Sequence, residues 1–346
     1  MIAIRCLKHN SSEESRKYMT LETLFGGSVT INRPIIEVYR YVEDIHAIVE
    51  WFPFYTEVKV IPRRPDSKVS FRAKLALKPL LNWGPGINVD VIDYVPGRRL
   101  SYRCLDVGLT TTIEFQPSLR GTLVTLTMSL WGWQAAAFGL FAQPLRLITN
   151  DLVMQSLMSL KRKAEARVLD FSPLVFFNYR RSQAKYVGGR IYDALCQEFG
   201  TGYVFRDFES ITGGTQWQEG IDQALKQCKV VIAHIDDGWE DEIKNRFDKG
   251  ETDWVLDELE RAINQGRDVT LIPVFTSSES DFNMADRLKR VQNALSADLG
   301  VKTALTNRQG ILLRTDPDFR QDLEKLLQAV WISIQNDGRL SNSSEN

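Results

Sequence analysis

From Gly27 to Trp131, apolar and polar residues alternate with a period of two. The segment 69–77 places Val69, Phe71, Ala73, Leu75 and Leu77 on one face, with Ser70, Arg72 and Lys74 on the other. Residues 87–91 repeat the pattern, and 123–130 set Val124, Leu126, Met128 and Leu130 against Thr125, Thr127 and Ser129. Such alternation predicts antiparallel strands with one buried face. Turn residues separate them at 64–67, 83–86, 96–97 and 120–121. Two helices bracket the strands. One opens at Pro34, a favourable first-turn residue, and runs toward Pro53. The other covers roughly 144–169, where Val153, Leu157, Leu160, Ala164 and Val168 recur at helical spacing. The order is strand, helix, six strands, long helix, and the last helix is the natural cover for the sheet's apolar face.

Beyond Pro173 the rhythm changes. Continuous apolar runs at 174–179, 203–205, 229–235 and 269–275 alternate with helical patterns at 184–199, 216–228, 253–264 and 319–331. Unbroken apolar strands between helices predict a parallel sheet covered on both sides. The chain thus reads as an N-terminal arm (1–25), an antiparallel α+β domain (26–169), a parallel α/β domain (174–332) and a polar tail (333–346) expected to be disordered. Few residues separate the two domains, so movement in one can reach the other.

Composition narrows the setting. With 346 residues, each half can bury its own core. A net charge of -1, from 43 basic and 44 acidic residues, favours neither nucleic acid nor an anionic membrane. Cys6, Cys104, Cys196 and Cys228 are scattered, which argues against a zinc site or a disulfide framework. No metal is expected, and the setting is a reducing one, the cytoplasm. The first residues lack the apolar run of a signal peptide, and either Met1 or Met19 can begin the folded protein. The apolar stretch 130–148 is interrupted by Gln134, Gln143, Pro144 and Arg146, so it reads as a strand end entering a core helix, not a membrane span.

Candidate chemistry lies at strand ends of the second domain, where open parallel sheets bind ligands. Its first strand ends in Asn178-Tyr179-Arg180-Arg181. The two guanidinium groups suit phosphate, although spacing alone is equally served by a solvated turn. Neither a G-x-G-x-x-G nor a P-loop pattern follows that strand. After the second strand, Gly213-Gly214 permit a sharp, mobile loop, and Thr215 with Gln218 has capping-box spacing. In the helix 253–264, Val255, Leu259, Ala262 and Ile263 form the apolar stripe, while Trp254 and Glu258 share a neighbouring strip. Five acids crowd 251–260 (Glu251, Asp253, Asp257, Glu258 and Glu260), and periodicity does not choose among them. Glu258 is as readily a surface carboxylate beside Arg261. In the first domain, His46 stands alone, and Trp51, Phe52, Phe54, Trp83, Trp131 and Trp133 fit a pocket lining or ordinary core equally well.

The element order of residues 26–168, opening on GSVTINRPIIEVYRYVED, resembles the START-like (SRPBCC) helix-grip fold. The resemblance implies an apolar ligand held between sheet and long helix, or else a protein trigger acting at this domain. The segments LVFFNYRRSQAKYVGGRIYDAL, VFRDFESITGGTQWQEGIDQALKQCKVVIAHI and DWVLDELERAI, in that order, resemble the TIR family, especially its bacterial, NAD+-cleaving branch. This implies a flavodoxin-like fold with NAD+ as substrate and no resident cofactor. In that branch the glutamate of the W-V-x-x-E segment is catalytic, which falls on Glu258. Tyr179, Arg180, Arg181, Trp254 and Phe205 are then substrate-binding residues. The loop of about Asp207–Thr215, with Asp207, Gly213 and Gly214, serves assembly between TIR domains. Asn178 stands where serine is usual, a small polar change of little expected consequence. The resemblance further implies nicotinamide plus ADP-ribose or a cyclised form as products, and gating by the N-terminal domain in antiphage defence. The alternative it allows is a non-catalytic adaptor that signals through TIR–TIR contacts.

Overall fold

In a computed structural model of the chain, which describes residues 25–53, 55–61, 72–77, 87–106, 108–130, 142–167, 172–180, 185–206, 221, 224–264, 269–277, 282–295 and 300–341, the alternating segments pair as one antiparallel sheet. Its strands are β1 (Phe25–Ile31), β2 (Tyr55–Ile61), β3 (Arg72–Leu77), β4 (Ile87–Val95), β5 (Arg99–Cys104), β6 (Leu109–Ser118) and β7 (Gly121–Leu130). They lie in the order β1-β7-β6-β5-β4-β3-β2, every pair antiparallel. The period-two reading holds where burial is described: Val124, Leu126 and Met128 are buried, and the residues between them are only half-buried. The faces of β4, β5 and β6 add Val89, Val91, Leu100, Tyr102, Ile113 and Phe115 to the same core. Each such side chain contributes about 1.5–3 kcal/mol when fully removed from water. At the β6–β7 turn, Gly121 has φ of 123°, and a Cβ there would stand 2.2 Å from the Ile31 carbonyl oxygen.

The first helix is shorter than its pattern predicts. Helix α1 (Ile35–Glu43) stops at Asp44, whose backbone is extended and whose side chain accepts from His46 N at 3.0 Å. That local bond competes with the helical ladder, so the chain makes one tight turn before α2 (Ile48–Trp51). Trp51 and Phe52 are buried core side chains, while Phe54, Trp83, Trp131 and Trp133 lie outside the described residues. The long helix α3 (Ala142–Ala166) buries Val153, Leu157, Leu160 and Ala164 of the predicted stripe, whose fifth member, Val168, lies outside the described residues. Gly27 on β1 gives it room, since a Cβ there would come within 2.7 Å of Met154 Sδ. The chain end of α3 is held by Arg33, which donates to the carbonyls of Glu165 (2.7 Å) and Arg167 (3.1 Å).

The chain divides into two compact units, Met1–Val168 and Leu169–Asn346. The second is built on strands β8 (Val175–Asn178), β9 (Val204–Arg206), β10 (Val230–Ile235), β11 (Thr270–Thr276) and β12 (Ile311–Leu313). All pairs are parallel, in the order β12-β11-β10-β8-β9. Read from β9, each crossover places the next strand outward except at one place: β8 is flanked by the second and third strands of the domain. Helices α4 (Lys185–Phe199), α5 (Trp239–Asp248), α6 (Trp254–Ile263), α7 (Met284–Ala294), α8 (Gly300–Thr306) and α9 (Phe319–Ser341) pack with these strands. One sheet face carries Phe176, Val231, Ala233, Ile235, Leu271 and Phe275 against α5 to α8. The other face meets α4 and α9, whose Phe199 and Trp331 rings lie 5.3 Å apart, with Trp331 Nε1 donating to buried Glu198 at 2.7 Å. Helix α9 continues past Trp331 to Ser341, so residues 333–341, expected to be disordered, are helical; Val330, Trp331 and Ile334 keep the buried stripe going. Among the described residues, no helix is long and apolar enough to cross a membrane.

Candidate active site

Strand order reverses between β8 and β10, and in sheets of this order ligands bind beyond the carboxyl ends of the two strands at that point. Asn178 is the last residue of β8, in register with Ala233 of β10. Helix α6 packs over this edge. It starts because Asp253 caps it, Oδ1 accepting from Leu256 N at 3.1 Å, and Asp257 pairs with Arg261 one turn on, at 2.8 Å. Leu259 and Ala262 bury against the sheet, which turns Glu258 toward the end of β8.

Glu258 is 2% exposed and is the one buried acid of the five in 251–260. Asn178 Nδ2 donates to Glu258 Oε2 at 2.8 Å and to the Val255 carbonyl at 3.1 Å. The surface reading of Glu258 therefore fails; Arg261 pairs with Asp257. The expectation that Asn178 matters little also fails. Its amide is long enough to reach the helix and anchor the carboxylate, a charge-assisted bond of about 1.5–3 kcal/mol. Glu260 faces away from this edge, and its carboxylate accepts from Gly300 N (3.0 Å) and Val301 N (2.9 Å) at the start of α8.

Arg180, expected at a phosphate, is buried and bound to Asp253 at 2.5 Å, with its guanidinium 5.3 Å from the Trp239 ring. It ties the end of β8 to the cap of α6. Tyr179 stacks on Phe177 (5.2 Å) and lies against Gly188 of α4, where a Cβ would come within 3.0 Å of its ring. Trp254 is 44% exposed at the first turn of α6. Phe205 stacks on Phe176 at 5.6 Å and packs with the core, one pleat deeper than Asn178. Arg181, Asp207, Gly213 and Gly214 lie outside the described residues.

Sequence reasoning missed the groups at the end of β10. Asp236 follows that strand and is buried; burial pushes its carboxyl up to about 6, against the opposing pull of Arg180 and Arg287. Arg287 reaches from α7, buried, donating to the Asp236 carbonyl and pairing with Glu240 at 2.8 Å. The signal was the acid pair Asp236-Asp237 directly after an apolar strand. A cleft of about 230 Å³ opens beside these groups, lined by Asp237, Glu240, Lys244, Arg287, Arg290 and Asn293; Glu258 does not line it. On the opposite sheet face, His234 binds Thr276 Oγ1 at 2.8 Å, and burial pushes its pKa down to about 4, so it is neutral near pH 7.

Residues 23–165 match the family of polyketide cyclase/dehydrase and lipid transport proteins, and residues 175–327 match the TIR domain. No curated protein matches the chain. Solved structures similar to the N-terminal part include DR_A0006 from Deinococcus radiodurans, at 19% identity over 42% of this chain and 98% of that one, with a TM-score of 0.31. CV1439 from Chromobacterium violaceum is 22% identical over 42% and 99%, with a TM-score of 0.31. The Polyketide_cyc-like protein Cgl2372 from Corynebacterium glutamicum is 22% identical over 42% and 94%, also with a TM-score of 0.31. The chain joins a START-like (SRPBCC) domain at its N-terminus to a TIR domain at its C-terminus.

Proposed function

We propose that the TIR domain hydrolyses NAD+ at the bond between nicotinamide and ribose, with Glu258 as the catalytic carboxylate. The observation that carries this is the burial of Glu258 against Asn178 at the switch point of the sheet. Burying a carboxylate is costly, and this one lies at the strand ends where sheets of this order bind ligands. That position favours the enzyme reading over a non-catalytic adaptor.

The chemistry follows from the substrate. Nicotinamide leaves as a neutral ring, taking the electron pair of the C–N bond, so it needs no general acid. Positive charge develops on the ribose as an oxocarbenium ion. A carboxylate beside that ribose stabilises the transition state more than the ground state, which lowers the barrier. Water then adds to the anomeric carbon and gives its proton to solvent; attack by the adenine of the same molecule would instead yield a cyclic product. Trp254, exposed beside Glu258, packs against the ribose or nicotinamide. Arg180 is committed to Asp253, so the phosphate role passes to Arg181. Tyr179, directly after β8, is given the neighbouring wall of the site.

The START-like domain is proposed to gate this activity as a sensor, with an apolar ligand between its sheet and α3, in a cell that depletes its own NAD+ on phage infection. Purified full-length protein incubated with NAD+, with and without extract of infected cells, tests the reading through release of nicotinamide. Release that vanishes in Glu258→Gln supports it, and no release under either condition contradicts it.

A further inference from the structure

We propose that Asp236 is a specificity-determining residue of the same crevice, accepting a hydrogen bond from the carboxamide of the leaving nicotinamide and rejecting a carboxylate in its place. This rests on the NAD+ reading of the Glu258 site. Asp236 closes the carboxyl end of β10, the partner of β8 at the switch point, and is 6% exposed. Among the described residues, no other residue donates a hydrogen bond to either of its carboxyl oxygens.

The neighbouring cations, Arg180 and Arg287, favour its ionisation but give its carboxyl oxygens no hydrogen bond. From the end of β8 comes Arg180, which is bound to Asp253. From α7 comes Arg287, whose side chain pairs with Glu240 (2.8 Å) and Asp237 (3.5 Å) and gives Asp236 only a bond to its carbonyl. Asp237, next in the chain, opposes the ionisation of Asp236. Among the described residues, the backbone N–H of Asp236 itself is the one group that helps hold its charge by hydrogen bonding. A buried carboxylate with no hydrogen bond from any other residue is costly unless something supplies one. Glu258 already serves the ribose side of the scissile bond. The other side is the pyridinium ring, a cation that a second carboxylate attracts, and its carboxamide is the N–H donor nearest the bond that breaks. Nicotinic acid adenine dinucleotide carries a carboxylate there, and like charges juxtaposed in a buried site repel strongly.

The test compares turnover of NAD+ and nicotinic acid adenine dinucleotide by the full chain. Wild type is expected to favour NAD+ by at least ~10-fold in kcat/KM, the scale of discrimination by one buried polar contact or more. Asp236→Asn should narrow that ratio ~10-fold, and Asp236→Glu should retain part of it. The preference should also weaken as pH falls through about 6, where Asp236 takes a proton, and be flat with pH in Asp236→Asn. Equal loss on both substrates in Asp236→Asn, with the ratio and its pH profile unchanged, makes the carboxylate structural and overturns the inference. Wild-type protein that cleaves neither dinucleotide, even with infected-cell extract, fails earlier: it contradicts the NAD+ reading, and the specificity role falls with it.

Discussion

The side-chain amide of Asn178 and the carboxylate of Glu258 meet at 2.8 Å, both buried, across 80 residues of chain. This contact is among those that join the end of β8 to α6, and it reaches the proposed catalytic group itself. Asn178→Ala removes its donor and leaves a buried carboxylate short of a partner, a cost of about 1–3 kcal/mol in stability. Asn178→Asp is expected to be worse, because two carboxylates would share one buried site and one must take a proton. Asn178→Ser keeps a donor on a shorter arm and should fall between wild type and Ala. Urea unfolding of the three variants checks the order.

The pair of Arg180 and Asp253 separates positioning from substrate binding. Both side chains are nine-tenths buried or nearly so, and breaking such a pair typically costs about 3–5 kcal/mol. Arg180→Ala should therefore lower stability as well as activity. Asp253→Asn keeps an acceptor for the cap of α6 and loses the charge; Asp253→Ala loses both and should cost about 1 kcal/mol more. A raised KM with unchanged unfolding in Arg180→Ala would assign that residue to phosphate instead.

Two buried groups oppose each other in the pH dependence of stability. His234 has a folded pKa near 4, below its ordinary value of 6.5, so the unfolded chain takes up the proton first. Its contribution is lost as pH falls from about 6.5 to about 4, on the order of 3 kcal/mol. Asp236 is raised to about 6, so the folded state binds its proton more readily and gains stability as pH falls through 6. Wild type should accordingly be nearly flat over this window. His234→Gln should become more stable as pH falls, and Asp236→Asn less stable, measured by thermal melting between pH 7 and about 4.

The alternation of the N-terminal strands and the apolar runs of the parallel sheet were legible because each reports a single repeating environment. Helix α5 was not, since WEDEIKNRFD buries only Trp239, Glu240 and Ile243 and has no clear apolar stripe. Strand β12 is three residues long, too short for a period. The identity of the buried acid in α6 lay equally out of reach. Leu259 and Ala262 set the helix face, but what singles out Glu258 is an amide on another strand. Arg180 read as a phosphate ligand because its partner Asp253 lies 73 residues away in the chain.

Assembly is the next expectation. The loop carrying Asp207, Gly213 and Gly214 is proposed to complete the site of a neighbouring TIR domain, a head-to-tail contact that need not close and can grow into a filament. Rate per protomer should rise with protein concentration. Gly214→Trp should abolish turnover, and mixing it with Glu258→Gln protein should restore part of it, since an intact loop then meets an intact glutamate. Concentration-independent turnover by a species shown by light scattering to be monomeric would refute this.

The most direct measurement is nicotinamide release from NAD+ by wild type and Glu258→Gln, at matched concentration and with the same extract, after circular dichroism shows both folded. Asp257→Asn and Glu260→Gln serve as controls; the first loses only a partly exposed ion pair with Arg261, and the second weakens the start of α8 without touching the crevice. Glu258→Gln keeps shape and an acceptor for Asn178 but removes the charge, so release should drop at least ~100-fold, as when one electrostatic stabiliser is lost. Both controls should stay within about threefold of wild type, because neither removes a group that faces the developing charge. Wild-type rates of release by folded Glu258→Gln would contradict the account.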